Sequence, residues 1–64
     1  MNIQENAEYF KYLFELQQSG RTNMFGAAAF LQSEMRLDRN KSKAILAHWM
    51  TNYDTIAKEL GVEV

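Results

Sequence analysis

Side chains of the types that contact nucleic acids are concentrated in one short stretch of this 64-residue chain. Arginine, asparagine and lysine side chains recognise base edges, and arginine and lysine also bind phosphate groups. The segments on either side of this stretch carry more acidic than basic residues, so the stretch is the part of the chain that attracts a polyanion. The candidate nucleic-acid-binding residues are Arg36, Arg39, Asn40, Lys41 and Lys43.

These residues lie where a predicted helix is followed by a short turn with a leucine and then by a basic helix start. A helix-turn-helix has this outline, and the first residues of its second helix read the major groove of DNA. Two details depart from it. Arg36 occupies the place where the tight turn usually holds glycine, and Ser42 stands where an apolar residue normally anchors the second helix. The alternative interpretation is that the cations form a solvated helix face, which a net charge of −1 favours.

Residues suited to catalysis or metal binding are not grouped in the sequence. His48 is the one histidine, and no Asp, Glu or second His lies three or four residues from it. Glu8 and Glu15 share a predicted helix face with Lys11, where they form surface ion pairs rather than an acid–base site. The chain has no cysteine and no glycine-rich phosphate loop. We therefore predict no enzymatic activity, no cofactor, no metal and no small-molecule substrate.

The elements that must position these side chains are helices, because the apolar residues follow a helical period. We predict a single all-α domain over residues 1–64 with three helices, at about 6–19, 23–35 and 39–60. Gly20 ends the first helix, and Thr22 or Asn23 caps the second. The first helix has an apolar arc of about 200°, which is wider than one neighbour covers. The second is apolar nearly all round, which predicts a buried helix.

The third helix opens at Asp38, a favourable N-cap, and ends at Gly61. Its apolar residues stay in phase from Ile45 to Leu60, which predicts one long continuous helix of about 33 Å. Residues 51–55 have poor helix propensity, so a break with the tail folded back is the alternative.

A continuous third helix would overhang the two shorter helices and leave apolar residues without a partner in the same chain. We therefore predict a helical homodimer, and the leading hypothesis for function is a protein-interaction module that binds an unidentified protein partner. A helix-turn-helix nucleic-acid-binding protein, with DNA as the partner, is the alternative function. The predicted interface residues are Tyr12, Phe14, Trp49, Tyr53, Ile56 and Leu60, which can equally well form core.

The beginning of the chain is polar and lacks the pattern of a signal peptide. No apolar run approaches the roughly 18 residues that a membrane span needs, so we expect no membrane association and a cytoplasmic location.

Three segments together resemble a family of short uncharacterised proteins of tailed bacteriophages, of the marine cyanophage type. The segments are residues 22–31 with the run Asn-Met-Phe-Gly-Ala, then Leu37-Asp38-Arg39, then residues 44–50 with the pair Trp-Met. The resemblance covers about residues 9–53, and it departs from the family at Arg36, where a glycine often precedes the leucine. It implies a small phage accessory protein that acts on a host or phage macromolecule in the host cell cytoplasm.

Overall fold

The computed structural model describes residues 2–20 and 26–63. Within these ranges the chain forms four α-helices and no β-strand, which confirms the all-α class. The helices are α1 (Ala7–Ser19), α2 (Ala27–Glu34), α3 (Arg39–Thr51) and α4 (Tyr53–Leu60). No helix in the described ranges is long and apolar enough to cross a bilayer.

The predicted helix ends are largely confirmed where the structure describes them. Gly20 ends α1 with φ +67°, and Gly61 ends α4 with φ +70°. Both lie in the left-handed region, which glycine adopts without a steric penalty. Asp38 caps α3, since its Oδ1 accepts a hydrogen bond from the backbone N–H of Lys41 at 2.7 Å. The predicted cap at Thr22 or Asn23 lies outside the described residues.

Helix α2 is less buried than its apolar sequence predicts. Its first residue is Ala27, next to Gly26 at the N-cap, and its last is Glu34. Ala27 and Leu31 are buried, but Ala29 is exposed. The helix therefore packs with one face only, because alanine is small enough to face solvent at little cost.

The prediction of one continuous helix over residues 39–60 is wrong, and the alternative of a break is confirmed. Asn52 leaves the helical conformation with φ −117° and ψ 30°, so α3 and α4 are separate helices. Its side-chain Nδ2 donates to the His48 carbonyl at 3.1 Å, which holds the bend. A straight helix would be about 33 Å long, whereas the largest dimension of the Cα trace is 26 Å.

The bend directs α4 against α1 of the same chain. An aromatic cluster of Phe14, Trp49 and Tyr53 joins α1, α3 and α4, with ring centroids 5.0–5.3 Å apart. Tilted and edge-to-face pairs of this kind are favourable beyond the area they bury. The Tyr53 hydroxyl also donates to Gln17 Oε1 at 2.6 Å. The buried hydrophobic residues are Phe10, Leu13, Phe14, Leu16, Ala27, Leu31, Ile45, Leu46, Trp49, Ile56 and Ala57.

The apolar surplus that predicted a homodimer is therefore absorbed within the chain. The wide apolar arc of α1 is covered by contacts with α2, α3 and α4 together. Ile56, which a straight helix would have left without a partner, is 0% exposed. Among the described residues, the one exposed large hydrophobic side chain is Met50, at 44%.

Candidate nucleic-acid interface

The turn between α2 and α3 is tight, although Arg36 stands where such a turn usually holds glycine. The backbone N–H groups of Met35 and Leu37 both donate to the Leu31 carbonyl, at 3.1 and 3.4 Å. Arg36 lies between them with φ +55°, the left-handed conformation that favours glycine. The strain costs about 1 kcal/mol for a side chain other than glycine. The turn thus forms with arginine in the glycine position, and Arg36 is exposed.

Two side chains anchor the start of α3 on the core. Leu37 is half-buried and packs against the core cluster. Ser42 is 0% exposed, so it does occupy the inward position that an apolar residue usually takes. Among the described residues its Oγ has no hydrogen-bond partner. The serine therefore fits the anchoring position sterically, at the cost of a buried hydroxyl group without a hydrogen bond.

The outward side of α3 carries a row of exposed residues that we call the α3 stripe: Asn40, Lys43, Ala44 and Ala47. Their spacing of three, four and seven residues places them on one helix face. The opposite face of α3 is buried through Ser42, Ile45, Leu46 and Trp49. The stripe is therefore a ridge, and its two alanines let another molecule approach the helix backbone closely.

The cations divide into two groups according to where they lie. Arg36, Arg39 and Lys43 are exposed on or beside the stripe, and in the described part of the chain none of the three forms an ion pair. Lys41 differs, because its Nζ lies 5.5 Å from the centroid of the Tyr9 ring of α1. This cation–π contact stabilises the packing of α3 on α1. Lys41 is thus on the flank of the helix, away from the stripe.

His48 packs against residues of the core and of the bend. Its ring lies 5.9 Å from that of Phe10, and its Nδ1 is 3.3 Å from Asn52 Nδ2 at the bend between α3 and α4. Residues 2–20 and 26–63 contain no cluster of three or more metal-ligating side chains and enclose no pocket.

The six residues predicted for an interface do not form one accessible patch. Phe14, Trp49 and Ile56 are core residues, with at most 2% of each exposed. The others, Tyr12, Tyr53 and Leu60, are half-buried. Core and interface aromatic residues follow the same helical period, so the sequence did not separate them.

The exposed residues Ala44, Ala47 and Met50 of α3 were not part of the candidate site predicted from the sequence. Ala44 and Ala47 of the stripe are small residues interleaved with polar ones, which is the signal that could have revealed them. Met50 has a weaker signal, since it follows the buried Trp49 and is rotated about 100° from it around the helix.

Comparison with known proteins leaves the function to be argued from this geometry. The resemblance to short bacteriophage proteins stays a prediction. No family model, no curated protein and no solved structure matches the chain.

Proposed function

We propose that the chain is a small non-enzymatic module of the helix-turn-helix type that binds nucleic acid. The observation that carries the proposal is the left-handed turn at Arg36, which leads directly into an exposed and cationic face of α3. A polyanion is the partner that unpaired cations on a protruding helix favour, because phosphate groups supply the missing countercharge.

Helix α3 is basic along its exposed side, which supports the proposal despite the net charge of −1. Helix α3 contains no acidic residue, and the carboxylate of Asp38 beside it is engaged in capping the helix. The exposed carboxylates on the other helices are Glu8 and Glu15 of α1, Glu34 at the end of α2, and Asp54 and Glu59 of α4. The cations of α3 favour the diffusional encounter of this helix with a negatively charged partner.

The test is fluorescence anisotropy of labelled nucleic acid, titrated with protein at low salt. One variant combines Arg39→Ala with Lys43→Ala, and the matched control combines Lys11→Ala with Lys58→Ala. Both variants remove two exposed positive charges from the same net charge of −1, and both place alanine in a helix. The expected result is that binding is lost in the first variant and retained in the control.

Binding by the wild-type protein should also weaken as salt rises. Each phosphate contact contributes about −0.9 to the slope of log affinity against log salt, so three cations predict a slope of roughly −3 on duplex DNA. Absence of binding at low salt would overturn the proposal. Equal weakening in the two charge variants would also overturn it, because binding would then follow net charge and not this face.

A second candidate is the protein-interaction module, formed as a homodimer or as a phage accessory protein on a host or phage protein. The observation that favours it is Met50, which is 44% exposed on the outward side of α3. Methionine adapts to varied apolar partners and is common at contact surfaces. Both candidates act in the cytoplasm, that of the host cell if the chain is phage-encoded.

The homodimer is tested by light scattering on wild type and on Met50→Lys. A wild-type mass near twice 7.5 kDa that falls to the monomer value in the variant supports an interface at Met50. A monomer mass for the wild type at high concentration excludes the homodimer.

A further inference from the structure

Helix α4 is joined to the rest of the molecule through a single non-helical residue. Asn52 stands between Thr51, the last residue of α3, and Tyr53, the first residue of α4. The backbone hydrogen bonds on its two sides already have helical spacing, since the N–H of Asn52 donates to the His48 carbonyl and the N–H of Ile56 donates to the Asn52 carbonyl, both at 2.9 Å. A change of φ and ψ at Asn52 alone therefore converts the bend into a continuous helix.

The surface that α4 covers is a groove on α1 and α3, which we call the α4 groove and which Phe14, Gln17 and Trp49 line. The Tyr53 ring lies 5.2 Å from the ring of Phe14, and the Tyr53 hydroxyl donates to Gln17 Oε1 at 2.6 Å. Further along α4, Ile56 is buried in the core. Phe14 and Gln17 precede the bend and Tyr53 follows it, so an α4 from a second copy can supply the same contacts.

The apolar side of α4 needs such a groove even when the bend is straightened. The apolar residues of α3 and α4 are in one helical phase from Ile45 to Leu60, so a straight helix keeps them on one face. That helix would be about 33 Å long, and it would carry Ile56 away from α1 of its own chain. A second copy in the same state has an uncovered α4 groove of identical composition, so a two-fold arrangement satisfies both chains.

We propose that α4 is exchanged between two copies of this chain, with Asn52 as the hinge. In the exchanged dimer, α4 of each copy occupies the α4 groove of the other copy. This inference is independent of the proposed function, since it uses none of the exposed cations. The bent chain is the form in dilute solution, because each groove meets its own tethered α4 at an effective concentration on the order of millimolar. Asn52 favours the bent chain further, since its side chain holds the bend and asparagine has poor helix propensity.

Exchange is tested by refolding, because α4 has to leave its own groove before it can bind a second copy. Wild type, Asn52→Ala and Thr51→Ala are unfolded in urea and refolded at roughly 1 mM, near the effective concentration of the tethered helix, and at about a hundredfold lower concentration. Light scattering then gives the mass of each protein, and circular dichroism checks that each variant folds. Thr51→Ala is the matched control, because Thr51 is exposed and helical in the bent chain as well as in the exchanged dimer.

The expected result is a mass near twice 7.5 kDa after refolding at the high concentration and the monomer mass after refolding at the low one. Asn52→Ala should raise the dimer association constant about tenfold, because alanine favours the helical hinge in each of the two chains. Thr51→Ala should leave this constant within about twofold of the wild-type value, since residue 51 is helical in both forms.

The contact between Phe14 and Tyr53 identifies the exchange directly. A dimer of Asn52→Ala is prepared from equal amounts of isotope-labelled and unlabelled chain, and isotope-filtered NMR shows whether the two rings belong to one chain or to two. Exchange predicts that Phe14 of one copy contacts Tyr53 of the other. Addition of Met50→Lys should leave this dimer intact, because Met50 is exposed and not part of the core.

Monomers under every condition, or a Phe14–Tyr53 contact that stays within one chain, would overturn the inference. A dimer that Met50→Lys abolishes would also overturn it, because the two copies would then meet at the surface of α3. An equal rise of the association constant in Asn52→Ala and Thr51→Ala would show that residue 52 is not the hinge. These outcomes leave the proposed function unaffected, since nucleic-acid binding is measured separately.

Discussion

Replacement of Ile56 by alanine tests whether α4 closes the core of its own chain. Ile56 is 0% exposed and lies on the helix that the bend at Asn52 turns against α1. The substitution removes three carbon atoms, which at about 0.8 kcal/mol each accounts for about 2.4 kcal/mol of lost transfer free energy. The cavity that remains raises the expected loss to about 3–4 kcal/mol.

A loss of this size is a large part of the total stability of the fold. A domain of this length has a free energy of unfolding of about 3–10 kcal/mol. The melting temperature should fall by roughly 10–30 °C, since 1 kcal/mol corresponds to about 4–8 °C in a small domain. Thr55→Ala is the matched control, because Thr55 precedes Ile56 on α4 and is exposed. It should change the stability by less than about 0.5 kcal/mol.

The assay is thermal and urea unfolding, followed by circular dichroism at two protein concentrations about tenfold apart. For a chain that buries Ile56 in its own core, the loss is the same at both concentrations. A wild-type melting temperature that rises with concentration, combined with a loss of that rise in Ile56→Ala, would refute the reasoning. Ile56 would then lie between two copies, as the continuous helix predicted.

Three further substitutions probe the turn and the start of α3 by the same urea unfolding. Ser42→Ala should raise the free energy of unfolding by about 1 kcal/mol, because it removes a buried hydroxyl without a hydrogen bond. The exposed Ser33→Ala is its control, and a loss of stability in Ser42→Ala would contradict the geometry. Asp38→Ala should cost about 1 kcal/mol, since it removes the cap on the Lys41 amide, and no loss would show that the cap is not stabilising. Arg36→Gly should raise stability by up to about 1 kcal/mol and weaken DNA binding, and a less stable variant would argue against the left-handed turn.

Local signals in the sequence were sufficient to predict the helix ends. They were insufficient to predict the bend between α3 and α4. Asp38, Gly20 and Gly61 act on the residues next to them, so their roles as caps followed from residue type alone. The bend at Asn52 was harder to predict, because a single non-helical residue keeps the apolar side chains of both helices on one side. Poor helix propensity in residues 51–55 indicated a break, but the hydrophobic period did not.

In the candidate site, too, residue type was predicted from the sequence, whereas contacts between distant residues were not. The cations of the turn were identified from the sequence because only their type and clustering matter. Lys41 was grouped with the others, although it lies on the flank of α3, where it contacts the ring of Tyr9 on α1. That contact joins distant parts of the chain, so no local pattern reveals it. Phe14 likewise contacts Tyr53, which lies 39 residues further along the chain, beyond the bend.

The contact between α1 and α4 has a consequence for the folding of the nascent chain on the ribosome. The aromatic cluster takes one member, Phe14, from the first helix and another, Tyr53, from the last. A nascent chain that has released only α1, α2 and α3 still exposes Phe14 and Trp49 to solvent, and such surfaces are prone to aggregation. The core can therefore be completed only after α4 has been translated. A stop codon before Tyr53 removes Ile56 and Ala57 from the core and the ring that contacts Phe14, and not just an outer helix.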